Sequence, residues 1–290
     1  MVKVSLFASS VRPKLYESFF ESLKGTNVEY EVVFVGNNFD SGLGYYGQKY
    51  GTFTYIKTSN IKPAQCYEIA RRHCTGEVVV WGADDMECSN NVIGKAYDYW
   101  KSQNNEKLIL SIQTRETGYK LPEGKLFDMN IHRFFAGDNN SPLMAPLGMM
   151  SRKFLNDLGG LDKRYVSGQY ENDIVMRAYA QGAKVEIFGN QDCFIDIDHL
   201  GKSILIGESK DERDFLNRPF AQGYKKDREI LENSWTKFNE ERFLALMSSG
   251  RNSFYPSEIK EIVSVRNDAF EPYEETDILI KSQSNKGIWE

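Results

Sequence analysis

The sequence is poor in cysteine, and its cysteines form no metal-binding pair. Four cysteines occur in 290 residues, and none belongs to a CxxC motif. Because structural zinc sites draw on such pairs, a zinc site is not expected. We interpret the four as reduced thiols of a protein in a reducing compartment. They are Cys66, Cys74, Cys88 and Cys193.

Long apolar runs are also missing. No stretch approaches the roughly 20 apolar residues that a membrane-spanning helix needs, and the first apolar run, Val2 to Ala8, is too short for a secretory signal. We expect a soluble cytoplasmic protein with no transmembrane segment, and peripheral attachment to a membrane stays open. The net charge is -5 with both signs mixed along the chain, which predicts no nucleic-acid partner.

Three motifs of common enzyme classes are absent. The sequence has no Walker-type P-loop, no GxGxxG after its first strand and no GxSxG elbow, which argues against P-loop, dinucleotide-binding and α/β-hydrolase sites. Sugar nucleotidyltransferases usually carry a glycine-rich loop with an arginine after the first strand. Here that turn, Ala8 to Pro13, contains Arg12 but no glycine.

Strand and helix patterns alternate through the first part of the chain. This alternation predicts an α/β fold with a single mixed, mostly parallel sheet flanked by helices. Hydrophobic runs predict strands over Val2–Ala8, Tyr30–Val35, Phe53–Ile56, Val78–Trp81, Leu108–Gln113 and Lys184–Phe188. Apolar spacing predicts helices over Leu15–Leu23, Pro63–His73, Asn90–Lys101, Ser151–Leu158, Glu171–Gln181 and Asp227–Met247.

Two segments are predicted to lack regular structure. Asn37 to Gly51 is rich in glycine and tyrosine without a clear period and predicts a loop. Lys202 to Gly223 is charged and predicts a mobile segment. The change in character near Gly201 divides the chain into a domain of residues 1–200 and an extension of residues 201–290, which combines the mobile segment with a mainly helical part.

Two adjacent carboxylates, Asp84 and Asp85, follow the valine-rich strand Val78–Trp81. Such a strand is expected to be buried on both faces, and ligands of open α/β sheets bind at the carboxyl ends of the strands. A divalent cation carrying a nucleotide diphosphate would balance the two charges, since oxygen ligands suit Mg²⁺ and Mn²⁺. An acidic turn that caps the next helix is the alternative.

A second acidic pair, Glu171 and Asp173, falls in the first turn of a predicted helix. The helix dipole alone favours acids there, so a structural role is one interpretation. Gly159, Gly160 and Gly168 predict a flexible approach to this helix. A carboxylate that faces a cleft from this position could take a proton from a hydroxyl nucleophile.

His199 lies close to Asp196, Asp198 and Lys202 in the sequence. A neutral imidazole in this company can bind a divalent cation, although a lone histidine is more commonly a hydrogen-bonded surface residue. His73, at the end of a predicted helix, is expected to bond a backbone carbonyl instead.

Taken in order, these motifs resemble the family 2 glycosyltransferases of the GT-A fold, from about Val2 to His199. The resemblance rests on the Arg12-Pro13 turn, the segments Ala64–Arg71 and Thr75–Val80, the Asp84-Asp85 pair, the segment Arg152–Asp162 and the acidic motif Glu171–Arg177. It departs from the family where Gly36-Asn37-Asn38 replaces an aspartate that often reads the uridine, at the missing third aspartate after Asp85, and at Asn172.

The resemblance implies an inverting, metal-dependent hexosyltransferase. It would move a sugar from a nucleotide-diphosphate sugar, UDP-linked by preference and otherwise GDP- or dTDP-linked, to a hydroxyl of a glycan or glycoconjugate. The implied catalytic residues are Glu171, as the base, and Asp173, which a slip in the alignment would exchange with it. The implied ligands of Mn²⁺ or Mg²⁺ are Asp85 and His199. The implied nucleotide-sugar-binding residues are Ser9, Arg12, Asn37, Asn38, Gln65, Asp84, Asp85 and Lys202, and the segment after Lys202 would close as a lid.

Two other functions remain open at this point. One is a sugar nucleotidyltransferase on a similar sheet, which the missing glycine loop disfavours. The other is a GT-A-like protein that binds sugars or partners after losing catalysis, which the altered acidic motifs keep open.

Overall fold

A computed structural model of the chain describes residues 1–36, 43–58, 61–115, 142–190, 192–197, 207, 209–235 and 269–275, with the side chains of residues 43–44 and 212–222 excepted. The strands are β1 (Val4–Ser9), β2 (Tyr30–Gly36), β3 (Phe53–Lys57), β4 (Val78–Trp81), β5 (Glu87–Cys88), β6 (Leu108–Ile112), β7 (Thr114–Arg115), β8 (Gly148–Ser151), β9 (Lys184–Phe188) and β10 (Ile195–Asp196). The α-helices are α1 (Tyr16–Leu23), α2 (Leu43–Tyr50), α3 (Pro63–His73), α4 (Val92–Ser102), α5 (Arg152–Asp157), α6 (Tyr170–Ala180) and α7 (Lys210–Trp235), and a 3-10 turn (Pro13–Leu15) precedes α1.

Seven of the described strands form one sheet in the order β3-β2-β1-β4-β8-β6-β9. Only β8 runs antiparallel to its neighbours within this sheet, so the mixed, mostly parallel sheet that the sequence predicts is confirmed. Strands β1 and β4 are adjacent, with Phe7 opposite Trp81. The loops that follow these two strands therefore leave the sheet side by side. A smaller sheet, β5-β10-β7, lies outside the main one.

Helices cover both faces of the large sheet, and the alternation of side chains along each strand divides the core in two. From β4, Val78 and Val80 pack on the side of α1 and α4, whereas Val79 and Trp81 pack on the side of α3 and α6. All four are buried. Burying a valine side chain contributes about 1.5–3 kcal/mol relative to leaving it exposed, so β4 is held firmly from both faces.

One segment predicted as a loop contains a helix. Helix α2 occupies most of the second half of Asn37–Gly51, although Gly44 and Gly47 give that stretch a low helix propensity. The ring of Phe20 in α1 stacks on those of Tyr46 and Tyr50, with centroids 6.3 and 4.5 Å away. These two tyrosines are one helical turn apart, so packing against α1 favours a helix where local sequence does not.

The long C-terminal helix α7 begins at Lys210, well before the predicted start at Asp227. Residues 210–223, which were predicted to belong to a mobile segment, are therefore helical, while residues 202–206 and 208 lie outside the described part of the chain. The later part of α7 has one buried face, formed by Gly223, Asp227, Leu231, Ser234 and Trp235. Leu231 and Trp235 join the core on the α6 side of the sheet, so this helix is fixed to the sheet domain by burial.

Two smaller predictions, on the cysteine thiols and on His73, agree with the structure. All four cysteines are buried free thiols, and Nδ1 of His73 lies 2.9 Å from the carbonyl oxygen of Ile69. Within the described ranges, none of the helices combines the length and the apolar character needed to cross a membrane.

Candidate active site

Asp84 organises the loop that follows β1. It is 3% exposed, and its Oδ2 accepts hydrogen bonds from the Ser10 hydroxyl at 2.9 Å and from the backbone amides of Val11 and Arg12 at 2.7 Å each. Burial raises the pKa of Asp84, the charge of Asp85 raises it further, and Arg12 opposes the rise. Asp84 therefore holds the backbone of the loop after β1 in place, at the edge of the sheet where the parallel strands end.

Asp85 is equally buried beside it. Its Oδ2 lies 3.9 Å from Nη1 of Arg12, so one guanidinium faces two adjacent carboxylates. Carboxylate oxygens suit Mg²⁺ and Mn²⁺, which proteins commonly hold through one or two carboxylates together with substrate phosphates. The pair fits such an ion on its donor chemistry, although no cluster of three or more possible protein ligands occurs among the described residues.

The structure also describes three further predicted residues. Ser9 ends β1, and its side chain lowers the pKa of the Cys66 thiol in α3, which burial raises. Gln65, also in the first turns of α3, is 6% exposed, and Arg12 precedes the 3-10 turn. The structure thus brings Ser9 and Arg12 close to the Asp84-Asp85 loop, while Gln65 lies at the start of the neighbouring part of the chain, α3. Four predicted residues lie outside the described part of the chain: Asn37, Asn38, His199 and Lys202.

Glu171 is half-buried in the first turn of α6. Burial raises its pKa to about 7, backbone amides of Glu171 and Gln169 lower it, and the charge of Asp227 raises it. A carboxylate that titrates near neutrality can both accept and release a proton under ordinary conditions. Glu171 therefore has the proton affinity that suits a general base.

Asp173 is in a different environment, although it is only two residues away. It is fully buried, its Oδ2 accepts from Nε of Arg177 at 2.8 Å, and its Oδ1 accepts from Nε1 of Trp235 at 2.9 Å. Both oxygens are thus engaged with charged or polar donors of α6 and α7. This arrangement suits a residue that fastens two helices together.

The glycine turn before α6 is packed, which corrects the expectation of a flexible approach. Gly159 and Gly160 have φ values of 87° and 77°, a region that favours glycine. Arg177 donates to the carbonyl of Gly160 at 2.7 Å, and a Cβ on Gly160 would lie 2.7 Å from the side chains of Arg71 and Glu68. These contacts pack the turn against the side chains of α3 and α6.

Tyr67 of α3 connects the two acidic sites, and sequence reasoning missed it. Its hydroxyl donates to the carbonyl of Gly82, in the loop that carries Asp84. Its ring lies 4.9 Å from that of Tyr170, the residue before Glu171. Burial raises the pKa of Tyr67, and the charges of Asp84, Glu171 and Asp85 add to the rise. Nothing in the sequence distinguishes this tyrosine from the other fifteen.

No protein-family model and no curated protein matches the sequence. Solved structures match in fold. The structure of S. aureus TarS 1-349 in complex with UDP-GlcNAc has a TM-score of 0.53 at 14% identity, covering 67% of this chain and 58% of that one. A second structure of S. aureus TarS 1-349 has a TM-score of 0.53 at 15% identity, covering 84% and 78%.

A third similar structure is the mannosyltransferase PcManGT from Pyrobaculum calidifontis in complex with GDP-Man and Mn²⁺. Its TM-score is 0.50 at 15% identity, with 86% of this chain and 76% of that one covered. At such identities the likeness establishes the fold. The chain therefore has the GT-A-like architecture of these glycosyltransferases, and it spans 58% of the length of the first TarS structure.

Proposed function

We propose that this protein is a glycosyltransferase that uses a nucleotide-diphosphate sugar, with an inverting, family 2-like mechanism. The observation that carries the proposal is the junction at Tyr67, which joins the Asp84-Asp85 loop to the start of the Glu171 helix. One site has the chemistry to hold a cation and a diphosphate, and the other has the chemistry to accept a proton. Transfer of a sugar to a hydroxyl needs both.

The similar structures support a nucleotide-sugar donor. Their complexes contain UDP-GlcNAc, UDP, or GDP-Man with Mn²⁺. We infer a UDP-linked sugar as the preferred donor of this chain, with GDP- and dTDP-linked sugars as alternatives, and a hydroxyl of a glycan or glycoconjugate as acceptor.

Asp85, with Asp84 behind it, would hold Mn²⁺ or Mg²⁺, and His199 is proposed as a further ligand. When bound, the ion supplies positive charge that stabilises the leaving diphosphate. Asp84 keeps the loop after β1 in place through its three hydrogen bonds. The side chains that this loop and α3 present, Ser9, Arg12 and Gln65, would then contact the donor.

Glu171 is the proposed base. It takes the proton from the acceptor hydroxyl while the acceptor oxygen forms a bond to the anomeric carbon. The bond between that carbon and the diphosphate oxygen breaks, and its electron pair leaves with the diphosphate. Attack comes from the face opposite the leaving group, so the configuration inverts. With a pKa of about 7, Glu171 then returns the proton to solvent.

Nucleotide binding tests this proposal first. The melting temperature of the protein is measured with UDP, GDP and dTDP, each with and without Mn²⁺, for the wild type, Asp85→Asn and the control Asp98→Asn, which alters an exposed residue of α4. Binding to the folded state alone stabilises by mass action, by about 2.7 kcal/mol at 100 times Kd. We expect a metal-dependent shift for one nucleotide, kept by Asp98→Asn and lost by Asp85→Asn.

The second test of the proposed function is a turnover assay, which measures release of the nucleoside diphosphate from the matching donor sugar. Release that depends on an acceptor supports transfer. Pyrophosphate formed from a nucleoside triphosphate and a sugar phosphate would instead identify a nucleotidyltransferase. Binding of donors with no release in a broad acceptor panel would indicate a sugar-binding protein.

A further inference from the structure

Asp227 of α7 is fully buried against the loop that leads into α6. Its Oδ1 accepts from the amide of Val166 at 3.0 Å. Its Oδ2 accepts from the amides of Ser167 and Gly168 at 2.7 and 2.9 Å, and from the Ser167 hydroxyl at 3.1 Å. One carboxylate therefore holds three successive backbone amides, and bonds of this kind to a charged acceptor are stronger than neutral ones.

The loop that Asp227 holds is directly connected to Glu171. Gly168 is followed by Gln169, whose φ of 63° is unusual for a residue with a side chain. The Gln169 backbone amide lowers the pKa of Glu171, and the side-chain oxygen of Gln169 accepts a hydrogen bond from Nδ2 of Asn172 at 2.8 Å. The direction in which α6 leaves this loop, and hence the position of Glu171, depends on the loop conformation that the hydrogen bonds to Asp227 fix.

Packing leaves little freedom at the contact between α7 and the loop. A Cβ on Gly223, one turn before Asp227, would lie 2.4 Å from the hydroxyl oxygen of Ser167 and 3.0 Å from its Cβ. A glycine is therefore needed for α7 to approach the loop closely enough for Asp227 to reach all of its donors.

Among the described residues, Asp227 is a charged group that acts on the pKa of Glu171. Tyr67 of α3 and the neighbouring Tyr170 are kept neutral, since burial raises the pKa of both. The negative charge of Asp227 raises the pKa of Glu171. Asp227 therefore affects Glu171 in two ways: it holds the loop that precedes α6, and its charge raises the pKa of Glu171.

We propose that Asp227 is a positioning residue for the base: it fixes residues 166–168 so that Glu171 is presented to the acceptor, which makes the C-terminal helix part of the catalytic apparatus. This inference rests on the proposed function of Glu171. It assigns to residue 227 a role in turnover that a purely structural contact between α7 and the sheet domain would not have.

Asp227→Asn is the direct test, with Asp211→Asn as its matched control, the same change at an exposed position of the same helix. An asparagine cannot accept from all four donors, because its amide nitrogen is itself a donor. We expect kcat to fall about tenfold to a hundredfold, as displaced catalytic groups do, with the donor KM unchanged. The acidic limb of kcat/KM should move to lower pH, since loss of a nearby negative charge lowers the pKa of Glu171.

A titration separates this inference from the proposed function. The carboxyl carbon of Glu171, assigned by comparison with Glu171→Gln, is followed by ¹³C NMR in the wild type and in both variants. A lower midpoint in Asp227→Asn alone supports the inference even when no donor has been identified. The same midpoint in all three proteins overturns it, whether or not transfer is observed.

Gly223→Ala keeps the test decisive if Asp227→Asn does not fold. The added methyl group forces the Ser167 hydroxyl away from Asp227 while the carboxylate stays in the chain. We expect a severalfold loss of kcat at an unchanged donor KM. Wild-type turnover by folded Gly223→Ala would contradict the proposed coupling.

Discussion

The indole nitrogen of Trp235 donates a hydrogen bond of 2.9 Å to Oδ1 of Asp173, across 62 positions of sequence. Arg177 donates to the other oxygen and also to the carbonyls of Leu158 and Gly160. The start of α6, the glycine turn before it and the end of α7 are therefore one buried polar unit. Asp173 holds these elements together, whereas Glu171, two residues earlier in the chain, has a pKa near neutrality.

Asp173→Asn is expected to damage stability more than chemistry. Arg177 would be left buried without its counter-charge, and breaking a buried pair in this way costs about 3–5 kcal/mol. Urea unfolding measures the loss. The control Asp157→Asn breaks an exposed pair with Lys153 and should leave the free energy of unfolding nearly unchanged. Equal stabilities of the two variants would contradict the supporting role of Asp173.

Tyr67→Phe should also destabilise the protein. The buried carbonyl of Gly82 loses the hydroxyl that donates to it, and an unsatisfied buried acceptor costs about 1–3 kcal/mol. Tyr99→Phe removes a hydroxyl that bonds Glu186 at the surface and serves as the matched control. Chemical unfolding of both variants checks the prediction, which is wrong if Tyr67→Phe costs no more than Tyr99→Phe.

The raised pKa of Glu171 predicts a specific dependence of stability on pH. Its pKa is about 7 in the folded protein against an ordinary 4.5, so the folded state binds the proton more tightly than the unfolded state. The free energy of unfolding should therefore fall as pH rises from about 4.5 to about 7. Glu171→Gln does not titrate and should be more stable than the wild type by about 3 kcal/mol above pH 7. A difference that is the same at pH 4.5 and pH 8 would refute the assigned pKa.

Metal binding should depend on Asp85 and His199. Asp85→Asn is expected to lose metal-dependent activity with its circular dichroism unchanged, because the amide removes charge with little change in shape. His199→Ala should weaken Mn²⁺ binding by about tenfold or more, as the loss of a ligand or its support does elsewhere. Titration of Mn²⁺ in the presence of the bound nucleoside diphosphate measures the Mn²⁺ affinity of both variants, and a turnover assay with and without Mn²⁺ measures the activity of Asp85→Asn. Unchanged affinity in His199→Ala would assign that residue to structure, and full turnover of Asp85→Asn in chelator would exclude a metal role for Asp85.

Elements with a strong internal pattern could be predicted from the sequence. The bounds of α3, β4 and β9 agree with the prediction residue for residue, because each combines a clear period with glycine, proline or charged residues at its ends. Strand β8 had no such pattern. Its residues, Gly148–Ser151, form a strand because β4 and β6 provide partners on either side. The two-residue strands of the small sheet depend on distant partners in the same way.

The residues of the candidate site show the same difference between local pattern and distant contact. Asp84 and Asp85 follow the well-patterned strand β4, and Glu171 lies in the first turn of the well-patterned helix α6, so their positions relative to these elements could be predicted. Tyr67 and Asp227 matter through contacts with residues far away in the sequence, such as the bond from Val166 to Asp227 across 61 positions. Single-residue properties do not reveal such pairings, and a tyrosine or an aspartate on a helix has many ordinary uses.

Comparison of Glu171→Gln with the wild type tests the central claim most directly. Once the donor is known, kcat for transfer and the Kd for the donor are measured for wild type, Glu171→Gln and Asp173→Asn under the same conditions. Loss of a general base costs about two to four orders of magnitude in rate, and we predict a loss of that size in kcat for Glu171→Gln with the donor Kd unchanged. Wild-type turnover by Glu171→Gln, above all with an inactive but folded Asp173→Asn, would show that Glu171 is not the base.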